Sequence, residues 1–222
     1  MLTEYDVLQV QDAIIANLVC EHIEEWEFPV ETHAVVRLPA SAQTAYEMQS
    51  RGWTWGDRTL ATTISLRRAP QSSKISSRLT ISAELLDADE AFPMASAGFE
   101  GDRRFYVTAE LSRSIGDAVL RQWLADVDEA LTCRIGGVLA GFLQLVRHDD
   151  CAEIRLAATD EKWRRAGSAL ALYSVALQQA YDWGCKSVVG RISSRNVSVM
   201  NLYAHLGAKF SNPVDVFCKE VG

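Results

Sequence analysis

The run EIRLAATDEKWRRAGSA, Glu153 to Ala169, decides how this chain is read. Its first part, Glu153 to Ala158, has the short apolar character of a strand. Its last part opens a long amphipathic pattern, Gly167 to Trp183, that stops at Gly184, where a helix C-cap favours glycine. Between them stands the turn Arg164-Arg165-Ala166-Gly167-Ser168-Ala169. A turn that feeds a helix N-terminus presents free N–H groups at the positive end of the helix dipole. The small residues Gly167 and Ala169 let an anion come close to the main chain, so the turn reads as a diphosphate cradle. Farther on come Asn196, Tyr203 and Gly207, in an order that the turn alone does not explain.

Composition sets the outer limits. The net charge of -7 and the acidic isoelectric point near 5.2 argue against a protein held to nucleic acid by massed cations. The five cysteines show no CxxC spacing, and the four histidines show no ligand spacing, so neither a disulfide framework nor a metal site is expected. The start, Met1 to Asp6, lacks the basic and apolar segments of a signal peptide. The apolar run Ile135 to Val146 carries three glycines and is too short for a bilayer. The expectation is a cytoplasmic protein with no membrane partner.

The polar, serine-rich stretch Arg67 to Arg78 reads as a linker and divides the chain into residues 1–72 and 73–222. In the first part, Gln11 to Glu25 has helical spacing, Ala34 to Leu38 reads as a strand, Ala42 to Arg51 as a helix stopped by Gly52, and Arg58 to Leu66 as a strand. In the second, strands are expected at Leu79 to Ser82, Ala130 to Ile135, Val138 to Val146, Glu153 to Ala158, Ser187 to Ile192 and Val214 to Lys219. Gly136-Gly137 turns a hairpin. Helices are expected at Asp87 to Ala97, Ser114 to Val127, Gly167 to Trp183 and Val197 to Leu206, with a loop from Phe99 to Tyr106. The fold class is α/β (α+β) with a mixed, partly antiparallel sheet. Strand, helix, glycine, strand recurs from Val35 and from Val188, so the first third reads as a truncated copy of the C-terminal part, or equally as a common unit met twice.

From Leu79 to Val221 the order of elements and residues resembles the GNAT superfamily of acyl-CoA-dependent N-acetyltransferases. Arg164, Gly167 and Ala169 match the family's turn, and Asn196, Tyr203 and Gly207 match its second signature; Thr159 and Ala208 depart from the usual Val and Phe. The resemblance implies that acetyl-CoA is the co-substrate and that no metal is used. The backbone of Arg164, Arg165, Ala166, Gly167, Ser168 and Ala169 would hold the pyrophosphate. The main chain of Leu156, Ala157, Ala158 and Thr159 would pair with the pantetheine arm, which Asn196 would also touch. A tyrosine hydroxyl, with an ordinary pKa of about 10, keeps its proton at neutral pH and can give it to a departing thiolate, which makes Tyr203 the expected general acid. A backbone N–H near Leu156 or Ala157 would bind the oxyanion. The base is Glu153 acting through water, or solvent itself.

Within the superfamily, Ala42 to Leu66, Arg104-Phe105 ahead of the helix carrying Trp123, and the run Ala176 to Gly207 resemble the nucleotide amino-sugar N-acetyltransferases of the dTDP-fucosamine type. That likeness makes the acceptor a small-molecule amine on a nucleotide-linked deoxysugar, faced by Arg103, Arg104 and Phe105. Equally, these two arginines read as solvated loop charges and Phe105 as a core plug. Competing acceptors are a protein N-terminus, a lysine or a polyamine. A different class is a non-catalytic acyl-CoA-binding module. Open sheet edges suggest a homodimer.

Overall fold

The computed structural model describes residues 2–10, 13–20, 33–70, 76–99 and 113–220. In chain order these form β1 (Leu2–Val10), β2 (Ala13–Cys20), β3 (His33–Pro39), α1 (Ala42–Ser50), β4 (Thr54–Ser65), β5 (Leu79–Leu85), α2 (Ala88–Phe99), α3 (Arg113–Ala125), β6 (Glu129–Ile135), β7 (Val138–Arg147) and β8 (Cys151–Thr159). A 3-10 helix (Glu161–Ala166) leads into α4 (Ser168–Asp182), followed by β9 (Ser187–Ser193), α5 (Val197–His205) and β10 (Lys209–Glu220). The strands make one mixed ten-stranded sheet in the order β1-β2-β3-β10-β4-β9-β8-β7-β6-β5. β2 pairs with β3 and β8 with β9 in parallel; the remaining ladders are antiparallel. The mixed, partly antiparallel sheet expected from the sequence is present.

Most sequence boundaries hold within a few residues, and one assignment does not. Gln11 to Glu25 has helical spacing, yet Ala13–Cys20 is strand β2. Ile14, Ile15 and Val19 are β-branched, and β1 and β3 each offer this segment a ladder, so pairing across the sheet overrides the period of the pattern. The loop expected from Phe99 to Tyr106 lies, after Phe99, outside the described residues.

The repeat is present in the hydrogen bonds. β3-α1-β4 and β9-α5-β10 have the same lengths, 7, 9 and 12 residues. Both helices begin at a side-chain cap, Ser41 accepting from Thr44 N–H and Asn196 from Val199 N–H. Both end alike, Trp53 N–H bonding Met48 C=O and Ala208 N–H bonding Tyr203 C=O, around Gly52 and Gly207 at φ near +80°. Exchanging β1 with β7, β2 with β8, β3 with β9 and β4 with β10 reverses the order of the eight strands from β1 to β7, so the strand order has a two-fold relation centred between β10 and β4. The two units are interleaved: β4 sits between β9 and β10, and β10 between β3 and β4.

Apolar residues cover both faces of the sheet. On one face α4 and Tyr203 of α5 pack with Leu131, Leu143, Ala152, Ile154, Val188 and Ile192. On the other, α2 and α3 pack with Ala130, Phe142, Leu156 and Ala158. Ala152 and Ile154 thus face α4 while Leu156 and Ala158 face α2 and α3, although strict alternation would keep all four on one side. A bulge resolves this: Leu145 pairs with Ile154 but Gln144 with Leu156, leaving Arg155 as the extra residue of β8.

Candidate active site

The bulge at Arg155 coincides with a fork in the sheet. β8 and β9 pair in parallel from Cys151↔Ser187 to Ile154↔Gly190 and no farther. Beyond that point β8 continues to Thr159 along β7, and β9 continues to Ser193 along β4. The edge of β8 from Arg155 to Thr159 that faces the opening is therefore released from its neighbour. Leu156, Ala157, Ala158 and Thr159 all lie on this stretch. An extended ligand entering the opening would meet strand backbone on the β8 side.

Tyr203 stands at the root of the fork. Its ring belongs to the cluster with Ile154, Leu172, Val188 and Ile192 and is almost fully buried. A β-carbon on Gly190 would come within 3.0 Å of the Tyr203 hydroxyl and 3.4 Å of the Ile154 carbonyl oxygen and Thr62 Oγ1. Glycine at this last paired position of β9 leaves the space into which the hydroxyl reaches. Tyr173, from α4, meets Tyr203 edge to face with ring centroids 5.4 Å apart and an interplanar angle of 85°. Burial first, and then Tyr203, push the Tyr173 hydroxyl well above the ordinary phenol range.

The opening's other end carries the turn. Asp160 caps the 3-10 helix by accepting from Lys162 N–H at 2.7 Å. Gly167 follows at φ +81°, a left-handed conformation that an L side chain adopts only with strain. The first intrahelical bond of α4 runs from Ala171 N–H to Gly167 C=O at 3.0 Å, so the N–H groups of Ser168, Ala169 and Leu170 precede the helical ladder. Ser168 is buried and spends its hydroxyl on the Trp163 carbonyl, whereas Ala166 and Gly167 are exposed. Arg164 is exposed and 4.0 Å from Glu161; Arg165 ends the same 3-10 helix with Ala166.

The other sequence candidates fall in different places. Asn196 sits where β9 hands over to α5, its side-chain oxygen engaged by Val199 N–H at 3.1 Å. Glu153 alternates away from Ile154, and its carboxylate accepts from Arg155 Nε at 3.4 Å and lies 3.2 Å from His148 Nε2. Glu153 and Tyr203 are thus on opposite faces of the sheet and are not brought together. Arg103, Arg104 and Phe105 lie outside the described residues. No helix among the described residues is long and apolar enough to cross a membrane, and no group of three or more His, Cys, Asp or Glu among them could hold a metal ion.

Fork, bulge, buried tyrosine and open helix N-terminus lie within residues 96–208, and this segment matches the family model described as Acetyltransferase (GNAT) family. The chain belongs to the GNAT family. Its fold is shared with a GCN5-related N-acetyltransferase from Sphaerobacter thermophilus, at 17% identity and TM-score 0.57, covering 87% of this chain and 62% of that one. A GCN5-related N-acetyltransferase from Kribbella flavida matches at 14% identity and TM-score 0.57, over 98% of this chain and 90% of that one. A tandem GNAT protein from the clavulanic acid biosynthesis pathway matches at 13% identity and TM-score 0.56, over 86% and 65%. The chain therefore spans less than two thirds of the Sphaerobacter and clavulanic-pathway proteins. No curated protein matches it.

Three positions in this GNAT chain escaped the sequence reading. Gly190 was signalled only by being a glycine inside a strand pattern, which marks close approach of something to the backbone. Tyr173 is an unremarkable helix residue until its partner is known. Asp57 of β4, fully buried, accepts from Ser193 Oγ at 3.1 Å, and Ser193 Oγ accepts from Arg195 N–H at 3.1 Å. The first third of the chain thereby braces the turn that presents Asn196. Beside it, Asp215 accepts from Arg58 through both oxygens and from Trp55 Nε1, and the exposed Arg195 guanidinium stacks 5.2 Å from the Trp55 ring.

Proposed function

We propose that this GNAT chain moves acetyl from acetyl-CoA to the amine of a nucleotide-linked amino-deoxysugar of the dTDP-fucosamine kind. The observation that carries the acetyltransferase reading is the fork: a strand edge freed at Leu156 to Thr159, with the Tyr203 hydroxyl at its root and the α4 N-terminus at its mouth. The pantetheine arm adds along β8, and the N–H groups of the Arg164 to Ala169 turn receive the pyrophosphate. Asn196 contacts the pantetheine amides. The bulge turns a backbone N–H near Leu156 or Ala157 toward the thioester oxygen, where it stabilises the tetrahedral oxyanion. As the C–S bond breaks, the sulfur takes the proton of Tyr203. The amine's surplus proton leaves through Glu153 and water, or directly to solvent.

The acceptor assignment rests on the resemblance of Ala42 to Leu66, of Arg104-Phe105 ahead of Trp123 and of Ala176 to Gly207 to nucleotide amino-sugar acetyltransferases. It gains support from Arg195 stacked on Trp55 next to Asn196, a cation on an aromatic face that suits a nucleotide phosphate and base. Arg103, Arg104 and Phe105 would also face the acceptor. Residues 1–72 act as a partial GNAT-like unit attached to residues 73–222, and the chain works as a cytoplasmic homodimer.

The test is release of free thiol from acetyl-CoA by the purified protein with a dTDP-4-amino-4,6-dideoxyhexose, spermidine or a lysine peptide. Release with the sugar nucleotide alone, slowed about 100-fold or more in Tyr203→Phe, is expected. Release with spermidine or the peptide alone moves the acceptor to a protein or polyamine amine. Coenzyme A binding without release for any acceptor favours a binding module.

A further inference from the structure

The fork that frees the edge of β8 also costs β9 its neighbour on one side. Beyond the last shared rung, Ile154↔Gly190, the residues Arg191, Ile192 and Ser193 pair with β4, through Ala61, Leu60 and Thr59. The turn that follows runs from Ser193 to Asn196 and is closed by Asn196 N–H on the Ser193 carbonyl at 3.1 Å. It carries the residue read as the pantetheine contact. Val199 N–H holds the Asn196 side-chain oxygen, so Asn196 meets a ligand through its amide nitrogen, a donor. To serve one ligand carbonyl, such a donor must be held to within about half an ångström. Among the described residues the ladder that supports this end of β9 is β4, which belongs to the first third of the chain.

We infer that Asp57 and Ser193 form a clamp through which the first third of the chain positions Asn196 for coenzyme A, with Ser193 as the positioning residue at its centre. The inference rests on the reading of Asn196 as a pantetheine contact. Ser193 is buried, and its hydroxyl works in both directions: it donates to Asp57 Oδ1 at 3.1 Å and accepts from Arg195 N–H at 3.1 Å. The same Asp57 oxygen is fixed on its own strand by Arg58 N–H at 2.7 Å, and the Arg58 carbonyl accepts from Ser194 N–H at 2.7 Å. Ser193 and Ser194 are thus tied to β4 directly, and Arg195 through the Ser193 oxygen. A second bulge makes this grip two-sided. Val216 pairs with Asp57 but Phe217 with Trp55, which leaves Gly56 as the extra residue of β4. Trp55 and Asp57 therefore do not share a face, as residues two apart in a regular strand would. Trp55 meets the Arg195 guanidinium at 5.2 Å while Asp57 holds Ser193.

The experiment measures by calorimetry the affinity of the whole chain for coenzyme A and for adenosine 3′,5′-bisphosphate, which carries the phosphates but lacks the pantetheine arm. The proteins are the parent, Ser193→Ala, Asn196→Ala and the double variant. Asn196→Ala is expected to weaken coenzyme A binding about fivefold, the ordinary worth of one hydrogen bond, and Ser193→Ala by nearly as much. The double variant should bind no more weakly than Asn196→Ala, because Ser193 acts through Asn196. Affinity for the bisphosphate should be the same in all four. Ser193→Cys, which keeps nearly the same shape with a much weaker donor and acceptor, should act in the same direction and serves if Ser193→Ala does not fold. Parent-like coenzyme A affinity in the Ser193 variants, with Asn196→Ala weakened, overturns the inference. So does a Ser193 effect that adds to that of Asn196→Ala or falls equally on the bisphosphate, since the loosening is then general. Coenzyme A affinity unaltered in Asn196→Ala overturns the pantetheine contact on which the inference stands, and the inference with it.

Discussion

The Tyr203 hydroxyl lies 3.0 Å from where a β-carbon on Gly190 would be, at the last rung joining β8 to β9. The root of the fork is thus packed to contact, and one methyl group is enough to disturb it. Gly190→Ala should displace the hydroxyl by a few tenths of an ångström, destabilise the fold by about 1 kcal/mol, and slow thiol release about tenfold or more. Coenzyme A should still raise the melting temperature, because the turn at α4 is untouched. Full activity in Gly190→Ala would mean that the position of this hydroxyl is irrelevant to turnover.

Gly167 tests the mouth of the fork by a different physical route. A β-carbon there would meet nothing within 4 Å, so any effect of Gly167→Ala comes from the backbone at φ +81° and not from crowding. The left-handed conformation costs an L residue about 1–2 kcal/mol. If the chain relieves that strain by turning the peptide, the N–H array at Ser168 and Ala169 is misaligned, and coenzyme A affinity should fall about tenfold by calorimetry. Lost stability with unaltered affinity would separate the turn from phosphate binding.

Arg134 joins β6 to two other elements, donating to Glu84 of β5 at 2.9 Å and to Glu90 of α2 at 2.9 Å. The hydrogen bond from Thr132 comes first, and those with the Arg134 charge follow, in holding the Glu84 carboxyl below the usual carboxylate range. A lowered folded-state pKa contributes stability above the unfolded value, and that contribution is lost as pH falls through the folded one. Glu84 is about one third exposed, so the expected loss in Glu84→Gln is only about 0.5–1 kcal/mol at pH 7. Thermal melts of parent and variant should converge below about pH 4. A difference that persists undiminished at lower pH would show that charge is not its source.

Residues 73–222 alone should not give a stable protein. Removing the first third strips β10 of both neighbours and β9 of one, and leaves Val216 and Phe217, each fully buried in the intact sheet, without their cover. The whole chain should melt in a single calorimetric transition, while the 73–222 fragment should be insoluble or lack one. A soluble fragment with the parent melting temperature would make the linker a boundary between independent units.

How much of this was written in the sequence depends on what kind of interaction decides each feature. The α4 turn, the hairpin at Gly136-Gly137 and the ends of α1 and α5 are local events, fixed by glycine conformations and side-chain caps, and they were legible. β2 was misread because its strand state comes from β1 and β3, one of them distant in the chain. The fork root was half legible. Tyr203 stood out by spacing to Asn196, but the reach of its hydroxyl to Gly190 and the contact of its ring with Tyr173 join three elements and leave no local trace. Glu153 was a fair choice by type and position. The strand's alternation nevertheless turns it to the face that Tyr203 does not occupy.

The interleaving of β3-α1-β4 with β9-α5-β10 has a consequence for how this molecule behaves on dilution. Two copies exchanging strands about a two-fold axis would, as separate chains, form an isologous interface that comes apart below its dissociation constant. Carried on one polypeptide, the same contact holds at any protein concentration. The halves have also ceased to be equivalent. Met48 occupies the place of Tyr203 and Ser41 that of Asn196, and β2 ends one residue beyond its last rung with β3, where β8 runs on for five. The expected stoichiometry is one coenzyme A per chain, with the first half relieved of chemistry and kept as the permanent partner of the second.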